Sequence, residues 1–195
     1  MTLFYKIIYI LRKKLGDLKI NYLIKEQQVL FPGKILFKKA FFSKQPEFLF
    51  DASESKLIIN DNTAIRGDVS FTFNEGGVIE IGSGCFFNNN CSINSLSKIT
   101  IGNNCLFGEG VKIYDHNHEF KNSEVLIKDQ GYTKAPIQIG DNCWIGSNVM
   151  ILKGVTIGDN CVIGGGSIVF KNVPANSVVV NKVTTELREI QPVNL

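Results

Sequence analysis

No two of the five cysteines form a Cys-x-x-Cys pair, and the chain has only two histidines, one tryptophan and five prolines in 195 residues. The missing pairs remove the usual zinc and redox motifs. The apolar run near the start ends at Arg12, far short of the roughly 20 residues that a membrane-crossing helix needs. No basic segment leads into an apolar core with a small-residue cleavage site, so a secretory leader is not expected. Charge of one sign is also lacking. Lys and Arg number 21 against 18 Asp and Glu, a net +3, and no nucleic-acid-binding module accompanies them. With 44% hydrophobic residues and 18 Gly, the composition suits one soluble domain with modest extensions.

What the chain does have is a period of six. Cys85, Cys91, Cys105, Cys143 and Cys161 each follow an apolar anchor by four residues, the anchors being Ile81, Phe87, Ile101, Ile139 and Ile157. Extending them gives Ile59, Ile65, Phe71; Ile81, Phe87, Ile93; Ile101, Phe107, Ile113; Ile139, Ile145, Ile151; and Ile157, Ile163, Val169. Three hexads make one coil. A Gly often follows the anchor, as at Gly102, Gly140 and Gly158, and a small or β-branched residue stands four after it, as at Thr63, Val111 or Ser167. This pattern predicts an all-β fold, a parallel β-helix of triangular section: the aliphatic fills the core and the small residues let the backbone turn corners. Stacked coils bury a core that no single coil can bury, and both ends need covering. Cys85, Cys105, Cys143 and Cys161 fall in one column, about 4.8 Å apart per rung, within range of a disulfide. Packing as small hydrophobes explains their register, so free thiols are expected.

The spacing of coils locates an interruption. Successive first anchors, Ile59, Ile81, Ile101, Ile139 and Ile157, are 22, 20, 38 and 18 residues apart, so all excess over 18 sits at the third corner. The largest excess leaves the wall after Ile113 and returns before Ile139. Long loops on a rigid scaffold carry function or are disordered. This loop holds both histidines of the chain, His116 and His118, beside Asp115 and Glu119. Histidine accepts a proton near neutral pH, and either carboxylate can fix its tautomer. A pair of solvated histidines, or two ligands of a metal with no evident third, are the competing readings.

Ile139-Gly-Asp-Asn-Cys-Trp-Ile-Gly-Ser-Asn-Val, Gly154-Val-Thr-Ile-Gly-Asp-Asn-Cys-Val-Ile-Gly-Gly-Gly-Ser-Ile-Val and the Asp115-His-Asn-His loop together resemble the left-handed β-helix hexapeptide-repeat acyltransferases. The likeness is to the sugar O-acetyltransferases among them, including maltose and galactoside acetyltransferases and those of capsule or O-antigen, over Ile81 to Ile190. It implies direct acetyl transfer from acetyl-CoA to a sugar hydroxyl, with no acyl-enzyme and no metal. Ungapped counting from Ile113 places the family's general base at His118, with His116 as rival and Asp115 as orienting carboxylate. The oxyanion donor falls at the N–H of Gly146 or a neighbour on that rung.

Asn88 and Asn90 match positions where relatives present asparagine to the acceptor, although asparagine also favours tight corners. Trp144, five residues after Ile139, takes an outward register that the core does not require. It serves as a groove wall touching acceptor or cofactor, or is merely a surface residue. Gly146, Ser147, Gly164, Gly165 and Gly166 lack bulk on successive rungs, where the family seats the pantetheine arm between two subunits. Lys153, Lys171, Lys182 and Arg188 are candidates for the phosphates. Here the chain departs from its relatives. Its tail reads Val180-Asn-Lys-Val-Thr-Thr-Glu-Leu-Arg and lacks the usual Gly, Pro and first basic residue.

The first fifty residues carry +7 and the remainder −4. Leu3, Phe4, Ile7, Ile8, Leu11, Leu15 and Leu18 recur at helical spacing, which predicts an amphipathic helix. It caps the first coil or, as the alternative, rests on anionic lipid. The predicted organisation is a basic cap (1–50), a left-handed parallel β-helix (51–172) with an excursion loop (114–138), and a short C-terminal tail (173–195). The resemblance further implies a homotrimer and a saccharide acceptor from a bacterial surface polysaccharide or its precursor. A cytoplasmic location, at the inner face of the membrane if the helix binds lipid, goes with this reading. N-acetylation of a nucleotide-linked amino sugar and a non-catalytic scaffold are the rivals.

Overall fold

The computed structural model describes residues 22–44, 46–50, 54–73 and 75–181. Strands of two to four residues alternate inward and outward side chains, as in Lys56–Ile59 and Val78–Ile81. Each inward position is an anchor or a neighbour two before it or, on the third face, two after it, as at Phe73 and Ser95, and all fifteen anchors are buried. A strand this short cannot bury enough apolar surface by itself. It is held by in-register parallel pairing to the coils above and below: Ile59, Ile81, Ile101, Ile139 and Ile157 are successive partners along one interior edge.

The result is a left-handed parallel β-helix with three flat faces. The first face stacks Ile35–Phe37, Lys56–Ile59, Val78–Ile81, Lys98–Ile101, Ile137–Ile139 and Thr156–Ile157. Phe41–Phe42, Ala64–Ile65, Phe86–Phe87, Leu106–Phe107, Trp144–Ile145, Val162–Ile163 and Val178–Val179 form the second. The third holds Glu47–Phe50, Ser70–Phe73, Ser92–Ser95, Lys112–Tyr114, Met150–Leu152 and Ile168–Val169. Corners need a residue in the left-handed backbone region. Asparagine supplies it at Asn104, Asn142 and Asn160, with φ between 53° and 58°, because its short side chain tolerates that conformation. The same side chains then ladder: Asn142 Nδ2 donates to Asn160 Oδ1 at 2.8 Å, and Asn160 Nδ2 to Asn176 Oδ1 at 3.1 Å.

All five cysteines are buried free thiols. They do more than fill space. Cys85, Cys105, Cys143 and Cys161 direct Sγ at the carbonyls of Gly102, Gly140, Gly158 and Pro174 in the next coil, at 3.0–3.2 Å. A thiol is a weak donor that fits where a carbonyl of the coil above points inward.

The wall reaches further than the hexads indicated. Ile35–Phe37, Phe41–Phe42 and Glu47–Phe50 pair with the first predicted coil, so residues assigned to the cap form a coil of their own. Phe37, Phe42 and Phe48 do there what isoleucine does elsewhere, with ring centroids 5.1 and 5.9 Å apart. Likewise Val173 bridges to Ile157, and Val178–Val179 pairs with Val162–Ile163, so the stack continues past 172. Residues 22–30 are helical and lead into the first coil. The amphipathic stretch from Leu3 to Leu18 lies outside the described residues. Among the described residues, no helix is long and apolar enough to cross a membrane.

Candidate active site

The third corner is where the wall opens. Pairing holds through Tyr114 and resumes at Ile137. Between them His116–His118 and Tyr132–Lys134 form an antiparallel ribbon, and the segment beyond makes a single 3₁₀ turn, Ile127–Asp129. The ribbon is fastened at its base. Ala135 N–H donates to the Asp115 carbonyl at 2.9 Å, Gly154 N–H donates to the Ala135 carbonyl at 3.1 Å, and Lys134 pairs with Glu75 two coils below. At the far end Gln130 Nε2 donates to the carbonyls of Asn122 and Val125, both at 2.7 Å.

Asp115 turns into the protein and is fully buried. Its Oδ1 accepts from Leu96 N–H at 2.8 Å, and its Oδ2 accepts from Ser97 N–H at 2.9 Å and the Ser95 hydroxyl at 2.7 Å. A buried carboxylate is costly unless hydrogen-bonded, and these donors meet that need. Oδ1 also stands 3.1 Å from Nδ1 of His116, whose side chain is 18% exposed. A carboxylate only accepts, so Nδ1 carries the hydrogen and Nε2 presents its lone pair. Among the described residues Nε2 has no hydrogen-bond partner. The ring is flanked edge-on by Tyr132 at 5.5 Å and Tyr114 at 6.4 Å.

Ungapped counting favoured His118, but the carboxylate falls to His116. His118 is exposed at the ribbon edge, with its ring 4.6 Å from Tyr132. Counting along the chain cannot see that Asp115 points inward, because that depends on the Ser95–Ser97 turn of the coil beneath. The reading from sequence missed those residues. The signal for them was the two-residue excess between Ile81 and Ile101.

Asn88, Asn90, Gly146, Ser147, Gly164 and Gly165 gather on the second corner, after the paired anchors Phe87, Phe107, Ile145 and Ile163. Asn88 Oδ1 accepts from Asn89 N–H at 2.9 Å and from Arg66 Nη1 at 3.4 Å. Asn90 occupies the left-handed region at φ 60° and donates to Glu109 Oε1 at 3.2 Å. Gly146 is buried, and a Cβ there would lie 2.6 Å from Gly165 N. Its lack of a side chain therefore serves the close approach of two coils as well as any groove. Its N–H donates to Ile163 O at 2.8 Å, which rules it out as the free oxyanion donor. The neighbouring residue Ser147 is exposed, and its N–H has no hydrogen-bond acceptor among the described residues.

Trp144 stands on the second face, 56% exposed. With its lateral neighbours it makes an outward column, Phe41, Ala64, Phe86, Leu106, Trp144, Val162 and Val178, that is apolar at every level. The matching column of the first face, Leu36, Ile58, Glu80, Thr100, Gln138 and Thr156, turns polar above the second coil. Lys153 is half-buried, and Lys171 is exposed with Nζ 5.6 Å from the Phe170 ring. Lys182 and Arg188 lie outside the described residues. No group of three or more His, Cys, Asp or Glu able to hold a metal occurs among the described residues.

Residues 136–171 match the bacterial transferase hexapeptide family, described as six repeats. The chain is 39% identical to galactoside O-acetyltransferase of Escherichia coli K12 over 68% of its own length, and spans 63% of that protein. It is 31% identical, over 59% of its length, to WbbJ of the same organism, named for O-acetyl transfer in lipopolysaccharide biosynthesis, and spans 69% of that protein. Among solved structures it resembles a hexapeptide-repeat-containing acetyltransferase of Vibrio cholerae complexed with acetyl-coenzyme A. The identity is 31%, covering 58% of this chain and 64% of the other, with a TM-score of 0.50. The matched hexads, the excursion loop at their third corner and this likeness place the chain in the hexapeptide-repeat acyltransferase family.

Proposed function

We propose that the chain transfers an acetyl group from acetyl-CoA to a saccharide hydroxyl, with His116 as general base. The carrying observation is the hydrogen bond between the buried Asp115 carboxylate and Nδ1 of His116, which leaves Nε2 to accept a proton. An alcohol is a poor nucleophile at neutral pH, and a positioned base is worth on the order of 10²–10⁴ in rate. Nε2 takes the hydroxyl proton as the acceptor oxygen attacks the thioester carbonyl. The C–S bond then breaks, and the imidazolium returns the proton to the leaving thiolate. The Ser147 N–H is the proposed donor to the oxyanion that develops between these events. His118, two residues further along the same strand, is the second candidate.

The histidine sits at the third corner and the glycine-bearing edge at the second, with the whole third face between them. We read this as a site completed by a neighbouring copy, which brings its second corner to this chain's His116. A closed homotrimer satisfies such head-to-tail contacts. The donor's pantetheine arm would lie along Gly146, Ser147, Gly164 and Gly165, with Lys171, Lys182 and Arg188 toward its phosphates and Trp144 as a wall. Asn88 and Asn90 would face the acceptor. The named activities of the galactoside and lipopolysaccharide relatives support a saccharide acceptor, and a surface polysaccharide or its precursor in the cytoplasm is the acceptor we favour.

The test is incubation of the purified chain with labelled acetyl-CoA and a panel of saccharides offering hydroxyls or free amines. Label in an ester, located by NMR, is the expected result. Label only in an amide would move the chain to N-acetylation of amino sugars, and label in neither would leave a scaffold.

A further inference from the structure

The geometry points to Ser95 as a positioning residue, one that sets the plane of the Asp115 carboxylate and through it the aim of the His116 ring. The inference rests on the proposed role of His116 as base. Ser95 is fully buried and lies on the coil beneath the loop. Its Oγ is 2.7 Å from Asp115 Oδ2 and 3.2 Å from the Val78 carbonyl. The hydroxyl has one hydrogen for these two acceptors, and it goes to the nearer, charged one.

The two carboxylate oxygens do different work. Oδ1 accepts from Leu96 N–H and faces the imidazole, while Oδ2 is held by Ser97 N–H and the Ser95 hydroxyl. With two donors on Oδ2, rotation of the carboxylate about its Cβ–Cγ bond is opposed from both sides of the group. Without the hydroxyl only the N–H groups of Leu96 and Ser97 hold the carboxylate, one on each oxygen, and Oδ1 swings away from Nδ1 more readily. Such a swing lets the imidazole turn or exchange tautomer, and a ring with hydrogen on Nε2 cannot take a proton there. Buried polar networks of this kind fix geometry when every member is satisfied.

The seat of Ser95 is itself built. A Cβ on Gly77 would fall on the Ser95 carbonyl, so only glycine in the second coil lets the Ser95–Ser97 turn settle low enough to meet Asp115. Tight packing thus runs from Gly77 to the Ser95 turn, and hydrogen bonds continue it through Asp115 to the ring.

The experiment compares Ser95→Ala with the parent chain, using steady-state kinetics, thermal melting and nitrogen NMR of the histidine side chains. Losing one hydrogen bond to a charged group corresponds to about a tenfold to hundredfold fall in kcat. KM for both substrates should stay within about twofold, since that bond is not made to either. The His116 nitrogen signals should move from a single Nδ1–H tautomer toward a mixture. An unchanged kcat, or a fall in kcat and melting temperature with the tautomer unchanged, overturns the positioning role. His116→Ala is measured alongside. If it stays active the base assignment itself fails, whereas an inactive His116→Ala beside a fully active Ser95→Ala removes Ser95 alone.

Discussion

Phe87 and Phe107 stack face to face inside the prism, with centroids 4.3 Å apart and planes within 3° of parallel. Parallel in-register pairing forces like onto like, because Phe107 lies directly beside Phe87 in the sheet. Stability in such a stack is a sum of neighbouring interfaces. Phe107→Ala should open a cavity between coils that hydrogen-bonded strands cannot collapse to fill, and cost about 3–5 kcal/mol. Chemical denaturation measures it. A loss under about 1 kcal/mol would mean that the coils slide to close the gap.

His116→Ala should lower transfer by roughly 10²–10⁴-fold while acetyl-CoA binding, measured by calorimetry, stays near that of the parent chain. His118→Ala should keep most activity, because its exposed ring has no carboxylate partner among the described residues. Inactive His118→Ala beside active His116→Ala would restore the order that counting along the chain suggested.

The prism was legible because its physics is periodic. An anchor every six residues leaves one topology that buries Ile101, Ile139 and Ile157 on a single edge, and they do line it. The coil of Ile35–Phe50 was not legible, since phenylalanines and an irregular spacing replace the isoleucine period there. At the loop, both histidines and Asp115 were visible, but their pairing depends on Ser95, Leu96 and Ser97, nearly twenty residues away along the chain. Spacing along one strand cannot report which side chain a neighbouring coil pulls inward. Gly146 failed as an oxyanion donor for a related reason: stacking commits the N–H that follows each anchor to the next coil.

Cys91 predicts a pH dependence. Burial raises its thiol from an ordinary 9.0 to about 11. Above about pH 9 the unfolded chain releases this proton while the folded chain keeps it, so the unfolded state binds fewer protons and stability falls as pH rises. The contribution is full below about 9 and is lost as pH climbs through the folded value near 11. Replacing the thiol by Cys91→Ala removes that dependence, so the denaturation free energy should fall less between pH 8 and about 10.5 than in the parent chain. Equal slopes for the two proteins would mean that Cys91 ionises in the fold as freely as outside it.

The apolar column on the second face predicts assembly. Phe41, Leu106, Trp144 and Val178 are all between 49% and 68% exposed, on a face whose outward column holds no charge at any level. Contiguous exposed apolar surface of this kind marks an interaction site. If a neighbouring copy covers it, a charge in its middle must be desolvated without a partner, which costs several kcal/mol in the assembly and little in the free chain. Leu106→Glu should therefore turn the proposed trimer into monomers in sedimentation velocity while leaving the melting transition cooperative. Trp144→Ala removes contact area without adding charge. It should weaken assembly less than Leu106→Glu and still lower turnover, because its ring would form part of the groove wall. A Leu106→Glu chain that stays trimeric would place the subunit contact on another face, and with it the partner edge that His116 needs.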